Sequence, residues 1–286
     1  RAVAKGLDVF NVLRAACINP VKHYKLPVGL LNPGDPADFI VVKDLVQFEV
    51  TSTYINGELV ADNGISNIKS VGTNPINNFD CKKIEADALT VSENECPNKN
   101  GLIPVIEALD GQLITNKLML TGSLQNGNWV TDTSNDILKI VVVNRYHLAP
   151  IAKAFIKNFG FKNGAIASSV AHDSHNIVAV GVDDASIAAA INLVIEAQGG
   201  VSVVNGANET ASSKVLPLPV AGLMSAADGF EVASTYTAID LEAKALGSKL
   251  EAPFMTLSFM ALLVIPHLKL SDKGLFNGDD FNFDIF

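Results

Sequence analysis

At 286 residues the chain has room for about two domains, taking one domain as roughly 150 residues. Hydrophobic residues make up 48% and charged residues 18%, a balance that fills a large core and excludes a mostly disordered chain. The formal net charge of -9 provides no basic field for phosphates, which excludes a nucleic-acid polymer as partner.

The first segment, "RAVAKGLDVFNVLRAACINPVKHYKL", has helical periodicity: Val9, Val12, Leu13 and Ala16 fall at three- and four-residue spacing. Asn19-Pro20 is expected to end that helix. Arg1 falls inside the same helical run, so the natural N-terminus is expected further upstream. A Pro/Gly/Asp turn, "NPGDPADF", then leads into a β-rich run, "ADFIVV". Asp35 and Asp38 read there as turn formers rather than a catalytic pair. Two further strands flank Asn56-Gly57, a dipeptide that marks a hairpin. Residues 66–100 are polar and read as a connector with one strand or helix.

Beyond the connector the apolar runs lengthen. "ILKIVVVNRY" reads as a buried strand and "APIAKAFIKNFG" as a helix closed by Gly160. "GAIASSVA" and "NIVAVGV" read as strands. "DDASIAAAINLVIEAQGG" reads as a helix with an Asp cap and a Gly-Gly stop, and "VSVVNG" as a last strand. The order β-α-β-β-α-β between about 137 and 206 is that of a split βαβ unit. "LPLPVAGLMS" shapes a wall, and Ser225 within it has no nucleophile-elbow pattern. A helix is expected from about 233 to 248. The apolar stretch from Phe254 to Ile265 stops at Pro266 after about 12 residues, too short to span a bilayer. The tail, with Phe276, Phe281, Phe283 and Phe286, is expected to pack as a terminal strand or arm. Cys17, Cys81 and Cys96 form no close pair and read as buried, reduced thiols of an intracellular, cytoplasmic protein.

The densest polar cluster is "AHDSHNI", Ala171 to Ile177, in a strand-to-strand connection. Three readings stand. Asp173 and Asn176 satisfy turn backbone while the histidines pack or cap. Alternatively, His172, Asp173 and His175 converge as acid/base or substrate-contacting groups. The third reading, metal ligation, has no third ligand at suitable spacing. Arg145, in "NRYH" at the end of a buried strand and before the expected helix, either pairs with a carboxylate or closes the sheet edge in water; the second is the simpler reading. Walker, GxGxxG and cysteine-zinc patterns are absent.

The early segments "NVLRAACINPVKHYKL", "VGLLNPGDPADFIVVKDL" and "TYINGELVADNG" resemble the closing helix and small β domain of amidohydrolase-superfamily enzymes. "RYHLAPIAKAFIKNFGFKNGAIASSVAHDSHNIVAVG", "LPLPVAGLMS" and "APFMTLSFMALLVIPHLKLSDKGLF" resemble the carboxyl-terminal domain of the bacterial adenine deaminases. The resemblance covers nearly the whole chain. It implies an α+β (mixed α/β) protein: 1–26 the last helical part of a (β/α)₈ barrel, 27–70 a small β-sandwich segment, 71–100 the connector and 101–286 the carboxyl-terminal α+β domain. It further implies hydrolysis of adenine to hypoxanthine and ammonia by a metal-activated water, with a binuclear Mn²⁺ or Fe²⁺ centre in the barrel.

The superfamily's early His-x-His pair does not occur here. The five histidines, His23, His147, His172, His175 and His267, cannot rebuild the barrel's ligands, so no metal ligand is carried onto this chain, which alone should be inactive. With the loop over the barrel mouth, His172, Asp173 and His175 are the candidates for a lid or for proton handling. Ser169, Ser174, Asn176 and Arg145 are then the candidates for substrate contact. Adenine is the expected partner, with no membrane and with assembly as a homo-oligomer. The alternatives are a non-catalytic oligomerisation domain, with the apolar segment near 253–265 as interface, and a purine sensor.

Overall fold

The structure, a computed structural model, describes residues 1–72, 74–96, 100–206 and 212–283. The chain divides into two units, Arg1–Gly72 and Thr73–Phe286.

In the first unit, helix α1 (Val9–Leu13) starts at Asp8, whose carboxylate accepts the Asn11 amide at 2.9 Å. The helical run does not stop at Asn19-Pro20 as the sequence suggests. It widens into a π turn over Arg14–Ile18, continues as α2 (Asn19–Tyr24) and ends at Lys25 with φ 53°. Pro20 is tolerated because it stands in the first turn of α2, where a missing N–H removes little. Four antiparallel strands follow in sheet order: β1 (Phe39–Val42), β2 (Val50–Ile55), β3 (Glu58–Asp62) and β4 (Ile65–Ser66). Asn56 and Gly57 both take positive φ, 51° and 81°, as a primed hairpin turn requires. Asp35 accepts the Leu30 amide, and Asp38 those of Asn56 and Gly29, which holds both carboxyls below their usual range.

The second unit begins with β5 (Val91–Ser92), β6 (Leu102–Ala108), β7 (Thr115–Thr121), β8 (Ser123–Gln125) and β9 (Asn128–Val130). Next come β10 (Ile137–Val143), β11 (Ala152–Lys157), β12 (Ala165–Ser168), β13 (Ile177–Gly181), α3 (Asp184–Glu196), β14 (Gly200–Asn205) and β15 (Ser212–Pro217). Helices α4 (Gly229–Ala245) and α5 (Pro253–Ser258) precede β16 (Leu268–Ser271), β17 (Gly274–Asn277) and β18 (Asn282–Phe283). One eight-stranded sheet runs β15-β14-β12-β13-β10-β11-β6-β7, with β6 and β11 its parallel pair.

Strand β10 is buried along its whole length, and its side chains alternate between two cores. Leu138, Ile140 and Val142 join Val178 and Val180 beneath Ile239 of α4 and Leu257 of α5. Val141 and Val143 join Ala179 beneath Ile187, Ile191 and Val194 of α3. Lys139, on the α3 face, directs its ammonium to the Leu89 carbonyl at 2.9 Å and to the Asp184 carboxylate. Phe79, Ile84 and Leu89 from the stretch expected to be a connector pack against this same α3 core.

The α+β class stands, but one expected element changes. Residues 149–160 are not a helix; they contain strand β11, paired antiparallel with β10 and parallel with β6. The stretch satisfies both periods. Ile151, Ala154 and Phe155 suggest a helix face, while Ala152, Ala154 and Ile156 alternate into one core. Two strands waiting to be bonded on either side decide for the strand. The core order is therefore four strands, α3 and a strand, rather than β-α-β-β-α-β. The helix expected at 233–248 begins earlier, at Gly229, because Asp228 caps it through the Phe230 and Glu231 amides.

Most of the apolar segment after Pro253 is internal: Phe254, Leu257 and Met260 are buried in the core under α4. Buried Thr115 fastens β16 to β7. Its amide donates to Pro266, its carbonyl accepts from His267, and its hydroxyl donates to the Leu268 carbonyl at 2.8 Å. Phe281 and Phe283 pack edge-on against buried Phe276, but Phe281 stays 69% exposed, so the expected packed tail holds only in part; Phe286 lies outside the described residues. Of the cysteines only Cys96 is buried; Cys81 is half-buried and Cys17 exposed. Among the described residues no helix is long and apolar enough to cross a membrane.

Helix α3 begins at Asp183, whose carboxylate accepts the Ser186 amide at 2.7 Å and the Ser186 hydroxyl at 2.8 Å. Asp183→Ala is expected to lower stability by about 1 kcal/mol, read as a shift in the urea midpoint. An unmoved midpoint would show the cap to be redundant.

Candidate functional site

Strands β12 and β13 are antiparallel neighbours in mid-sheet, registered Ser168 against Val178. Both are fully buried, so the polar residues between them gather in the connecting loop, Ser169–Asn176. The loop is turned by a bond from the His175 amide to the Ala171 carbonyl at 2.7 Å, with His175 itself at φ 54°. Ser169 is fully buried. Its amide donates to the Gly200 carbonyl, while its hydroxyl accepts the Gly200 amide and donates to the Gly222 carbonyl at 2.6 Å. Asn176, also buried, accepts the Arg145 amide and donates to the Ser174 hydroxyl.

Arg145 lies beneath this loop, only 3% exposed. Its Nε donates to the His175 carbonyl at 2.6 Å. One terminal nitrogen donates to Asn77 Oδ1 and the Asn78 carbonyl; the other donates to the Ala221 carbonyl and Tyr146 Oη. The planar fork thus uses donors from all three nitrogens, and Tyr146 and Phe79 cover its faces at 4.4 and 5.6 Å. Tyr146 passes the connection on by donating to the Ser174 carbonyl at 2.7 Å. Gly222 is required here: its φ is 72°, and a Cβ would sit 2.8 Å from the guanidinium.

The other face of the loop is open. His172 is held by its amide on the Ser258 carbonyl at 2.9 Å, and its ring stacks on Phe259 at 5.1 Å and 17°. The His175 ring stands edge-on to it at 5.6 Å. Asp173 and Ser174 are exposed at the tip. His175 Nδ1 is buried and has no hydrogen-bond partner among the described residues. Burial, then the neighbouring His172 and the Arg145 charge, push the His175 imidazole below its ordinary value, with Asp173 opposing. The shift favours the neutral imidazole, while the unpartnered Nδ1 is shielded from solvent. Beside the loop lies a largely apolar cleft of about 450 Å³ lined by Val170, Leu218, Val232, Tyr236, Phe254 and Met255.

All seven residues singled out in the sequence meet at this loop, but on two sides. Arg145, Ser169 and Asn176 are inside, with their polar groups engaged by the protein. His172, Asp173 and His175 are on the open side, with Ser174 at the edge. Sequence reasoning missed Phe259, Tyr146 and Asn77. Phe259 is hidden in an apolar run, and Asn77 in a polar stretch that offers no periodicity; only the adjacency of Tyr146 to Arg145 was a usable signal. Among the described residues no group of three or more His, Cys, Asp or Glu converges as a metal site would require.

Two outcomes follow from this geometry. Arg145→Lys keeps the charge but not the fork, and a loss on the order of 2 kcal/mol is expected from carbonyls left unpaired. Chemical denaturation reads it, and wild-type stability would refute the hub. For His175, the unfolded chain binds the proton more readily than the folded one. Its contribution is thus favourable above the ordinary imidazole value of 6.5 and is lost as pH falls below that value. Amide-exchange protection of residues 171–176 should decline on acidification through that range and become flat in His175→Leu. Protection unchanged with pH in the wild type would contradict this.

Comparison with known proteins places these features. The family model described as "Adenine deaminase C-terminal domain" matches residues 112–282, and that of the "Amidohydrolase family" matches residues 1–60. The chain is 52% identical over 99% of its length to the adenine deaminase of Methanosarcina acetivorans, of which it covers 51%. It is 48% identical over 99% of its length to that of Borreliella burgdorferi, covering 50%. With the Salinibacter ruber adenine deaminase the identity is 48% over 99% of the chain and 50% of the relative. The chain spans about half the length of the curated relatives it matches. From the sheet-borne polar loop to the family match over most of the second unit, the chain belongs to the adenine deaminase C-terminal domain family.

Proposed function

We propose that this chain is the carboxyl-terminal portion of an enzyme of purine salvage and catabolism that hydrolyses adenine to hypoxanthine and ammonia. The observation that carries the reading is identity near one half, sustained over 99% of the chain, to proteins named adenine deaminase. In that reaction the bond from the ring carbon to the exocyclic amine breaks, a bond to water oxygen forms, and the amine leaves with a proton. Under this reading residues 1–26 close a (β/α)₈ barrel, 27–70 form a small β segment, 71–100 connect, and 101–286 form the appended domain. The first unit supports that division. It buries none of its residues and exposes Phe10, Leu31 and Ile65, apolar area suited to a larger core.

Membership of the amidohydrolase family implies a metal centre. The described residues of this chain do not supply a fitting donor set; the family resemblance is what implies a manganese or iron pair, held by the barrel. The work proposed for this chain is positional and protonic. The loop Ser169–Asn176 closes over the purine and excludes water. Neutral His175 accepts a hydrogen bond from a purine N–H, and His172 and Asp173 handle the proton delivered to the leaving amine. Ser174 contacts substrate at the edge. Arg145, Ser169 and Asn176 serve the substrate by holding the loop. The working protein is further read as a cytoplasmic homo-oligomer acting on free adenine, with neither membrane nor nucleic-acid polymer as partner. The net charge of -9 supports the last point, and exposed Phe230, Leu241 and Met255 offer apolar area for assembly.

The test uses the chain joined to its barrel, with ammonia release from adenine as the readout. His172→Ala and Asp173→Ala should each reduce turnover at least roughly tenfold while leaving the circular dichroism and melting of the protein unchanged, since positioned acid/base groups contribute that much or more. Wild-type turnover in both variants would remove the loop from the chemistry. Absence of ammonia release by the unaltered, metal-loaded enzyme would remove the activity itself.

A further inference from the structure

Lys269 is the most fully buried cation of the described residues, at 0% exposure in strand β16. Burial pushes its ammonium down to about 8, with no carboxylate among the described residues to offset it. At neutral pH it still carries its charge, and a buried cation is retained only where strong acceptors meet it. Those acceptors are two carbonyls: Leu113 at 2.6 Å and Phe259 at 3.1 Å.

The second acceptor is the informative one. Phe259 caps the carboxyl end of α5, where carbonyls lack helical partners and a cation is favoured. Three successive carbonyls there are claimed from three directions. Ser258 accepts the His172 amide, Phe259 accepts Lys269 together with the Leu262 amide at 3.2 Å, and Met260 accepts the Leu270 amide at 3.0 Å. The Phe259 ring is meanwhile the platform on which the His172 imidazole stacks at 17°. The path from β16 to the loop is therefore one ammonium, one peptide group and one ring.

We propose that Lys269 is a positioning residue: by pinning the Phe259 carbonyl it fixes the ring that orients His172 on the open face of the loop. The catalytic consequence rests on the reading of that loop as part of an adenine site. The positioning itself does not. A methionine would fill the same space without desolvating a charge, yet would take the ammonium from the Leu113 carbonyl and leave the Phe259 carbonyl held by the Leu262 amide alone, at 3.2 Å.

The experiment uses the full enzyme carrying Lys269→Met or Phe259→Leu. The first removes the ammonium; the second keeps Lys269 and every backbone bond and removes only the ring. Carbethoxylation of individual histidines by diethylpyrocarbonate, followed by peptide mass spectrometry, reports the freedom of the His172 imidazole, with exposed His147 as the internal reference. Both variants should modify His172 at least about threefold faster relative to His147, and should lose about tenfold in kcat with KM within about twofold, the pattern of a misoriented group in a site that still binds. Should Lys269→Met not accumulate as folded protein, Phe259→Leu decides alone on the link between ring and imidazole. An unchanged His172 rate in a folded variant overturns the proposal, as does an equal acceleration of every histidine, which marks general loosening. A faster His172 with wild-type kcat upholds the positioning and instead defeats the catalytic reading of the loop.

Discussion

A guanidinium is buried at the junction of the second unit's central sheet and the segments that cross its end. Among the described residues Arg145 meets no carboxylate there. Its charge is shared among carbonyls of His175, Asn78 and Ala221, an amide oxygen and a phenol. These acceptors lie on segments far apart in sequence, and hydrogen bonds to a charged donor contribute about 1.5–3 kcal/mol apiece. The cation and the loops therefore need each other. Neither the Ser169–Asn176 loop nor the 77–78 and 221–222 segments can leave without exposing the others' deficits, so the three behave as one body.

That coupling gives the loop two sides with different chemistry. Beneath it, hydroxyl, amide and guanidinium are saturated by backbone. Above it, two imidazoles and a carboxylate stand with few partners among the described residues, although the unpartnered His175 Nδ1 is itself buried. A rigid base under unsatisfied groups is the general form of a preorganised site. The fully buried strands β12 and β13 add to this. With Ser168, at the end of β12, the one polar side chain in the two strands, the sheet delivers its hydrogen-bonding capacity at one edge.

Sequence patterning made much of this legible because several signals are local. The Asn56-Gly57 turn, the Asp183 cap and the polar connection after "GAIASS" depend on neighbours a few residues away, and each forms where its pattern lies. Where a choice was tertiary, local reading failed. Residues 152–157 suit helix and strand alike, and only the vacant flanks of β10 and β6 decide between them. The π turn before Pro20 is likewise a geometric accommodation with no sequence signature. Arg145 was visible as a site residue, but apart from the adjacent Tyr146 its guanidinium partners lie 30 to 76 positions away, and no spacing rule reaches so far. Phe259 carried no mark at all, being one apolar residue within an apolar run.

Thr115 fastens β16 to a strand made 153 residues earlier in the chain. This long bracket bears on the order of synthesis as well as on packing. Contacts of such sequence separation form late because a long loop must close before they contribute, and during translation the amino-terminal strands emerge first. The eight-stranded sheet is complete once residue 217 is available, whereas the Thr115 bracket and Lys269 need residues 266–269. A nascent chain can thus hold its sheet while His172 has no fixed platform, because Phe259 and Lys269 are synthesised after the sheet's last strand.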